Sequence, residues 1–533
     1  MTAKQAQALA AGQEQAFAFL ADPLTHGLAE PVKRIDTHAA AVFLAGPNVY
    51  KVKRAVRFPF MDQTTLEKRR TACETEVLVN RAFAPDLYLG TVAVTRAGPS
   101  LRLGGRGEAV EWAVHMRRFD ENRTLDLVAE RGEITPALIA KIADLILASH
   151  QTAKVGDGAR ATVALGEVVA ETLAELIEAP DAFPAAPAAE LAAAMRSAFA
   201  AVRPLLLSRG AAGRVRRCHG DLHLRNIALI GDEPILFDAI EFDESIATTD
   251  VLYDLAFALM DLCERRHGGE ANLLLTRYLW RCEDMGSELA GLAALPLFLS
   301  LRAAVHAKID AIRSRDIDHT AAARDEALRY FDIAGECLRP VAPLLVAVGG
   351  LSGTGKTTLA ARIAPSIGRA PGAVRLCSDI ERKRRFGVAY TERLPAAAYR
   401  KEVSDAVYAS LRGQAETAIR TGHGAIVDAV HSTAEERALV AAVAAQANVR
   451  FVGLWLDAPL ELMVERVRAR RNDISDATDR VVTSQANRPI GDIDWHRLDA
   501  SMPIDALTDA ALAACRPERQ RPPRGESQSA APH

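Results

Sequence analysis

Near its middle the chain reads Val346-Ala347-Val348-Gly349-Gly350-Leu351-Ser352-Gly353-Thr354-Gly355-Lys356-Thr357-Thr358. An apolar run enters G-x-x-x-x-G-K-T and leaves as a helical pattern, TTLAARIA over 357–364. Glycines at this spacing let the backbone turn tightly, so that successive N–H groups point at the oxygens of a polyphosphate. Lys356 adds a point charge to those oxygens, the Thr357 hydroxyl is placed to ligate Mg²⁺, and the helix sets its positive end against the anion. Residues Gly350 to Thr358 are therefore the expected cradle for a nucleotide.

A second group of chemistry-bearing residues lies upstream. Cys218-His219-Gly220-Asp221-Leu222-His223-Leu224-Arg225-Asn226 spells H-G-D-x-H-x-x-N, and twelve residues past the Asn the run Ile235-Leu236-Phe237 ends in Asp238. An Asp, an Asn five residues on and a second Asp closing the next strand is the layout of a phosphoryl-transfer loop. One carboxylate orients the acceptor hydroxyl and takes its proton, while Asn and the later Asp hold Mg²⁺. Further upstream, Val49-Tyr50-Lys51-Val52-Lys53 puts two lysines on one face of a strand. Cys73-Glu74-Thr75-Glu76 offers a glutamate on a helix, and the apolar end of that helix favours Glu76.

This part of the chain, roughly 30–335, resembles the aminoglycoside phosphotransferase and choline kinase branch of kinase-like enzymes, which share the H-G-D-x-H-x-x-N loop. The resemblance implies a bilobal protein-kinase-like fold, with Asp221 as catalytic base and Asn226 and Asp238 as metal ligands. It also implies Glu76 paired with a phosphate-binding lysine, either Lys51 or Lys53. Glu241 is the alternative second metal ligand. Gly46-Pro47-Asn48 is a tight turn rather than a glycine-rich phosphate loop, as is common in that branch. The helical stretch 293–309 brings Arg302, His306 and Lys308 to nearby faces, as an anion-accepting pocket or as a core helix with solvated charges.

Beyond the P-loop, a strand ends at Ser378-Asp379, and another, Ala425-Ile426-Val427, closes on Asp428 as a Walker B residue would. Asp379 falls where doubly wound sheets bind their second ligand. After Phe451-Val452-Gly453-Leu454-Trp455-Leu456-Asp457 comes a helix bearing Arg466, Arg470 and Arg471. These features resemble the zeta-toxin-like and gluconate-kinase-like branch of P-loop kinases. The resemblance implies Asp379 as base, Asp428 and Thr357 at the metal, and Arg466 and Arg470 as lid arginines beside catalytic Lys356. No N-K-x-D motif supports a GTPase.

The elements that must position these residues fall into two patterns. Short β-like runs, with a helix at 64–84, fill 33–120; helices dominate 135–335 except for a β-like patch at 226–242. After Arg339-Pro340-Val341-Ala342-Pro343 strands and helices alternate, with strands at 344–349, 373–378, 424–428 and 451–456, implying an α/β parallel sheet. The expected domains are a helical extension at 1–32, a kinase-like module at 33–338, a P-loop NTPase domain at 344–515 and a disordered tail at 516–533.

At 533 residues the chain has room for several cores, and a net charge of −3 argues against a nucleic-acid coat or a membrane-surface binder. Its seven cysteines show no C-x-x-C spacing, against structural zinc or a disulfide framework. The amino-terminal stretch lacks the apolar region of a secretory signal, and no uninterrupted apolar stretch of about 18 residues is present. The expectation is a cytoplasmic ATP- and Mg²⁺-dependent enzyme with two modules, each phosphorylating a small-molecule hydroxyl. Two alternatives stand beside it: a non-catalytic first module regulating the second, or a polynucleotide 5′-hydroxyl kinase resting on Arg382–Arg385. Acceptors and oligomeric state are not legible.

Overall fold

The structure is a computed structural model that describes residues 13–58, 61–314, 321–471 and 473–516. The chain divides into two compact units, Met1–Pro340 and Val341–His533.

The first unit begins with an antiparallel six-stranded sheet in the order Lys33–Asp36, Ala40–Ala45, Asn48–Lys53, Glu108–Arg117, Tyr88–Ala97, Ser100–Leu103. Alternation along Asn48–Lys53 sends Tyr50 and Val52 into the core of one face. The helix over 13–21 closes that face, burying Ala16, Phe17 and Leu20 against Phe43 and Tyr50. Gln13 fastens it by donating to the Lys53 carbonyl (2.9 Å) and to Glu111 (2.8 Å). Of the stretch expected as a helical extension at 1–32, the described residues 13–21 pack against the small-lobe sheet.

The other face carries the helix Leu66–Asn80, opened by a Thr65 side chain that accepts from the Lys68 N–H. Cys73 and Val77 on this helix pack with Leu87, Tyr88 and Val114. Helices from Pro136 to Leu338 build the large lobe, interrupted by the antiparallel pair Ile227–Ile230 and Glu233–Leu236 that follows the candidate catalytic loop. Two helical runs, Ala185–Ala211 and Met285–Arg313, are long and apolar enough by length and composition to cross a membrane. The second is mostly buried within the unit, 78% of its apolar window, as a core helix is.

The second unit is a five-stranded parallel sheet in the order Val374–Cys377, Ala425–Asp428, Leu344–Gly350, Arg450–Asp457, His496–Asp499. Four of these strands match the expected ones to within about a residue, whereas His496–Asp499 was not anticipated. The central strand is fully buried, and Val346 and Val348 pack against Leu359, Ile363, Ile426 and Leu454. Parallel order brings the carboxyl ends of neighbouring strands to one edge, where Val348, Cys377 and Asp428 stand in register. Gly353 adopts φ 91°, and a Cβ there would lie 2.6 Å from the Met463 carbonyl, so the loop admits only glycine at this position.

Candidate active sites

In the first unit, Lys51 and Lys53 both reach Glu76, Lys51 through Oε1 at 2.9 Å and Lys53 through Oε2. They then diverge. Lys51 meets Asp238 at 2.6 Å and Lys53 meets Glu241 at 2.5 Å. The Lys51 and Asp238 side chains are 17% and 43% exposed, whereas Lys53 and Glu241 are 5% and 7% exposed. One rung faces the cleft and the other is sealed. Burial opposes ionisation of Glu76, but the two lysines outweigh it and hold its carboxyl down at about 2. Burial pulls the Lys51 ammonium down, and Asp238, Glu76 and Glu241 more than reverse this.

Asp238 has φ 60°, a conformation uncommon for a residue with a side chain. Its N–H donates to the Tyr88 hydroxyl (3.1 Å), and the next residue is held at both backbone groups by Asn80 (2.7 and 3.2 Å). Sequence reading missed Tyr88 and Asn80. The Asn80 position, one turn beyond Glu76 on the same helix face, was the available signal.

The loop at 219–226 is tied from several sides. Asn226 Nδ2 donates to both the Asp221 carbonyl (2.9 Å) and its carboxylate (3.0 Å), and His223 Nε2 lies 3.3 Å from the same carboxylate. Burial opposes the Asp221 charge, and His223 with the neighbouring histidines overcomes it, so the carboxyl lies well below its usual range. His219 donates from Nε2 to the Phe237 carbonyl (2.9 Å) and accepts the Asp221 N–H at Nδ1 (3.3 Å), a pattern that needs neutral imidazole. Burial accordingly lowers its pKa. Beneath the loop, Asp254 accepts the Gly220 N–H (2.7 Å) and Asp261 accepts the Leu224 N–H (2.9 Å). Asp250 instead pairs with Arg209 (2.7 Å).

Asp221, Asp238, Glu241, Lys51 and Lys53 line one cleft of about 420 Å³. Its other walls include Ile35, Val42, Met116 and Phe237, apolar groups suited to a flat ring and not singled out by sequence. Glu76 and Asn226 lie behind the lining. Among Arg302, His306 and Lys308, only Lys308 is a surface-type charge, paired with Glu175 (3.2 Å). Arg302 is buried over the Tyr253 and Phe257 rings at 3.9 and 4.3 Å. His306 stacks on Tyr330, and burial lowers its pKa to about 4. His150, Cys218 and Asp254 bring their ligand atoms within 4.8 Å of one another. Both His150 nitrogens are already taken, by Tyr278 (2.9 Å) and Asp254 (3.1 Å), and burial pushes the Cys218 thiol well up. The trio is a brace for the loop.

In the second unit a cavity of about 1630 Å³ is walled by Leu351 to Thr358 and by Asp379, Asp428, Arg466 and Arg470. Gly350 ends the strand beneath it. Lys356 Nζ donates to the Leu351 carbonyl (3.0 Å), holding the loop in the cradle form, and burial lowers its pKa against the pull of Asp428 and Asp379. Asp428 is 4% exposed, and among the described residues its buried Oδ2 has no hydrogen-bond partner. An orphaned carboxylate oxygen in the cavity that the P-loop lines suits a hard cation that accepts oxygen ligands.

Asp379 sits in the first turn of the helix Ser378–Phe386. Burial raises its pKa, and a hydrogen bond from Ser475 works the other way. The two arginines expected on a lid helix differ, and that helix, Leu460–Ala469, ends just before Arg470. Arg466 spends its guanidinium on the Ala500 carbonyl (2.9 Å) and the Thr354 carbonyl (3.5 Å). Arg470 touches Asp473 (3.4 Å), and among the described residues its buried Nη1 has no hydrogen-bond partner. Sequence reading missed Ser475 and Gln485, whose Oε1 accepts the Ser352 N–H (2.9 Å).

Residues 98–295 match the model of the phosphotransferase enzyme family, and residues 345–488 match an AAA domain model. The chain is 30% identical over 485 residues to an uncharacterized protein of Mycobacterium tuberculosis (strain H37Rv), covering 88% of this chain and 92% of the relative. Among solved structures, it is similar to a choline/ethanolamine kinase family protein from Mesorhizobium loti, with 14% identity, 62% of this chain and 95% of that chain covered, and a TM-score of 0.36. A sugar kinase from Janibacter sp. HTCC2649 matches with 21% identity over 32% of this chain and 94% of its own, at a TM-score of 0.26. The fold is that of a kinase-like phosphotransferase module followed by a P-loop kinase domain, and the chain is a phosphotransferase enzyme. It belongs to the same family as the mycobacterial protein, which it matches along nearly its whole length.

Proposed function

We propose that each unit transfers the γ-phosphoryl group of ATP to a hydroxyl of a small molecule. The observation that carries this reading is the same in both: a carboxylate placed as a base shares one cavity with a lysine and a second carboxylate suited to a metal. In the first unit Asp221 takes the acceptor's proton, and Lys51, anchored by Glu76, holds the α- and β-phosphates. Asn226 and Asp238 offer the oxygen ligands for Mg²⁺. The exposure difference favours Lys51 over Lys53 and Asp238 over Glu241, which together read as the structural rung.

In the second unit the P-loop N–H groups and Lys356 hold the phosphates, and Thr357 and Asp428 would hold Mg²⁺. Asp379 serves as base, and Arg470 meets charge developing on the transferring group. Arg466 anchors the P-loop. Bound Mg²⁺ supplies charge neutralisation on the phosphate oxygens.

The test is label transfer from γ-labelled ATP into a bacterial metabolite extract by wild type, Asp221→Asn and Lys356→Ala. Two labelled products, each lost in a different variant, are expected. Transfer that needs Lys356 and ignores Asp221 would make the first unit a regulator. Indifference to both changes would refute the reading.

A further inference from the structure

Beyond the strand Glu233–Leu236 the residues Phe237 to Ile240 form no regular element, yet they carry Asp238 into the cleft. Their backbone groups are engaged all the same, by two sets of partners. The outer residues are held by the large lobe. The Phe237 carbonyl accepts from His219 Nε2 (2.9 Å), the Ile240 N–H donates to the His219 carbonyl (3.0 Å), and the Ile240 carbonyl accepts from Arg217. The inner two are held by the small lobe. The Asp238 N–H donates to the Tyr88 hydroxyl (3.1 Å), the Ala239 N–H donates to Asn80 Oδ1 (2.7 Å), and the Ala239 carbonyl accepts from Asn80 Nδ2 (3.2 Å). Both side chains are buried; Tyr88 opens the strand Tyr88–Ala97, and Asn80 closes the helix Leu66–Asn80 that also carries Glu76.

We propose that Asn80 and Tyr88 are positioning residues that set the Asp238 backbone, and so the direction of its carboxylate, from the small lobe. This rests on the reading of the first unit's cleft as a phosphoryl-transfer site that uses Asp238. The φ of 60° is the reason such a hold is needed. A left-handed backbone is unfavourable for a residue with a side chain and persists where its surroundings impose it. The N–H groups flanking the Asp238 α-carbon are its own and that of Ala239, and both end on small-lobe side chains. Released from them, the residue is free to return to negative φ, which swings the carboxylate away from Lys51 Nζ, 2.6 Å distant. Asn80 suits the task because one amide gives Ala239 an acceptor and a donor together. Its second N–H, on the Glu76 carbonyl (3.1 Å), keeps the amide from flipping. The helix that anchors Lys51 through Glu76 thus also sets the carboxylate that faces this lysine.

The test uses the full chain carrying Tyr88→Phe or Asn80→Ala. Hydrogen exchange at the Asp238 and Ala239 amides is followed without nucleotide. Transfer of label from γ-labelled ATP into a bacterial metabolite extract is measured alongside, counting the part that Asp221→Asn abolishes. Faster exchange is expected at Asp238 in Tyr88→Phe and at Ala239 in Asn80→Ala. In each, kcat should fall about tenfold with the KM for ATP little changed, since Lys51 stays on Glu76. In an Asp238→Ala background neither change should remove further activity, because both act through Asp238.

Should Asn80→Ala fail to fold, Tyr88→Phe, which removes one oxygen and keeps the ring, decides alone. Unchanged exchange at these amides, or a further loss in the Asp238→Ala background, would overturn the proposal. Wild-type transfer by Asp238→Ala would instead overturn the reading of Asp238 on which it depends.

Discussion

Lys51 and Lys53 stand two residues apart on one strand and share Glu76, yet burial separates their roles. Lys51→Met removes the cleft-facing charge while Lys53 still pairs with Glu76. Phosphoryl transfer by the first unit should fall by about 10²-fold or more, with its unfolding midpoint little changed. Lys53→Met leaves Glu241 and one Glu76 oxygen buried without a cation, and should destabilise the unit by roughly 3–5 kcal/mol in denaturant titration. Equal effects of the two changes on both readouts would contradict this division.

Glu76 also predicts a pH dependence. Its carboxyl is held at about 2 against an ordinary 4.5, so the stabilisation it brings is present above the ordinary value and disappears as pH falls through about 2. The first unit's stability should therefore decline as pH drops from 5 toward 2, and the decline should be shallower in Glu76→Gln. A slope identical to wild type would rule out Glu76 as a contributor. Both lysines and Glu76 were legible in the sequence; choosing between the lysines was not, because alternation puts them on one face and only tertiary burial distinguishes them.

At the scale of elements, the P-loop was legible because backbone geometry, rather than packing, dictates its glycines and lysine. The strand His496–Asp499 was not. It is four residues long, three of them polar, and it adds to an edge of the sheet where little apolar surface is required. The helix over 13–21 falls in the stretch expected to be helical, but its partner sheet is built from residues far along the chain.

The supports of the catalytic loop were visible only as acidic residues on an apolar helix, since nothing in spacing says which N–H each will accept. Geometry now makes them testable. Asp254→Ala strips the acceptor from the Gly220 N–H and from His150 in a fully buried setting. It should cost about 1–3 kcal/mol for each group left unpaired. It should also lower kcat of the first unit with little change in the KM for ATP, because Lys51 and Asp238 belong to other elements. Thermal unfolding and steady-state kinetics on one preparation check both, and a loss confined to the KM for ATP would refute the argument.

At the scale of the molecule, the two units have separate cores. The cluster that holds the P-loop draws on residues from Leu344 to Cys515, and those that hold the small lobe draw on residues from Ala16 to Phe237. Pro340 and Pro343 bracket the point where one unit gives way to the other, and the helix Ala321–Leu338 ends just before them. A chain cut between Pro340 and Val341 should therefore yield two fragments that each fold. Adding ATP with Mg²⁺ at about 100 times its dissociation constant should stabilise a binding-competent fragment by about 2.7 kcal/mol, read as an upward shift of its thermal midpoint. Lys356→Ala should abolish the shift in the second fragment, and Lys51→Met should abolish it in the first. Because each fragment is measured by itself, a shift in the second alone assigns nucleotide use to the P-loop unit and removes it from the kinase-like one. A shift in both, each erased by its own lysine, means that two nucleotide sites work on one chain and that neither needs the other to form.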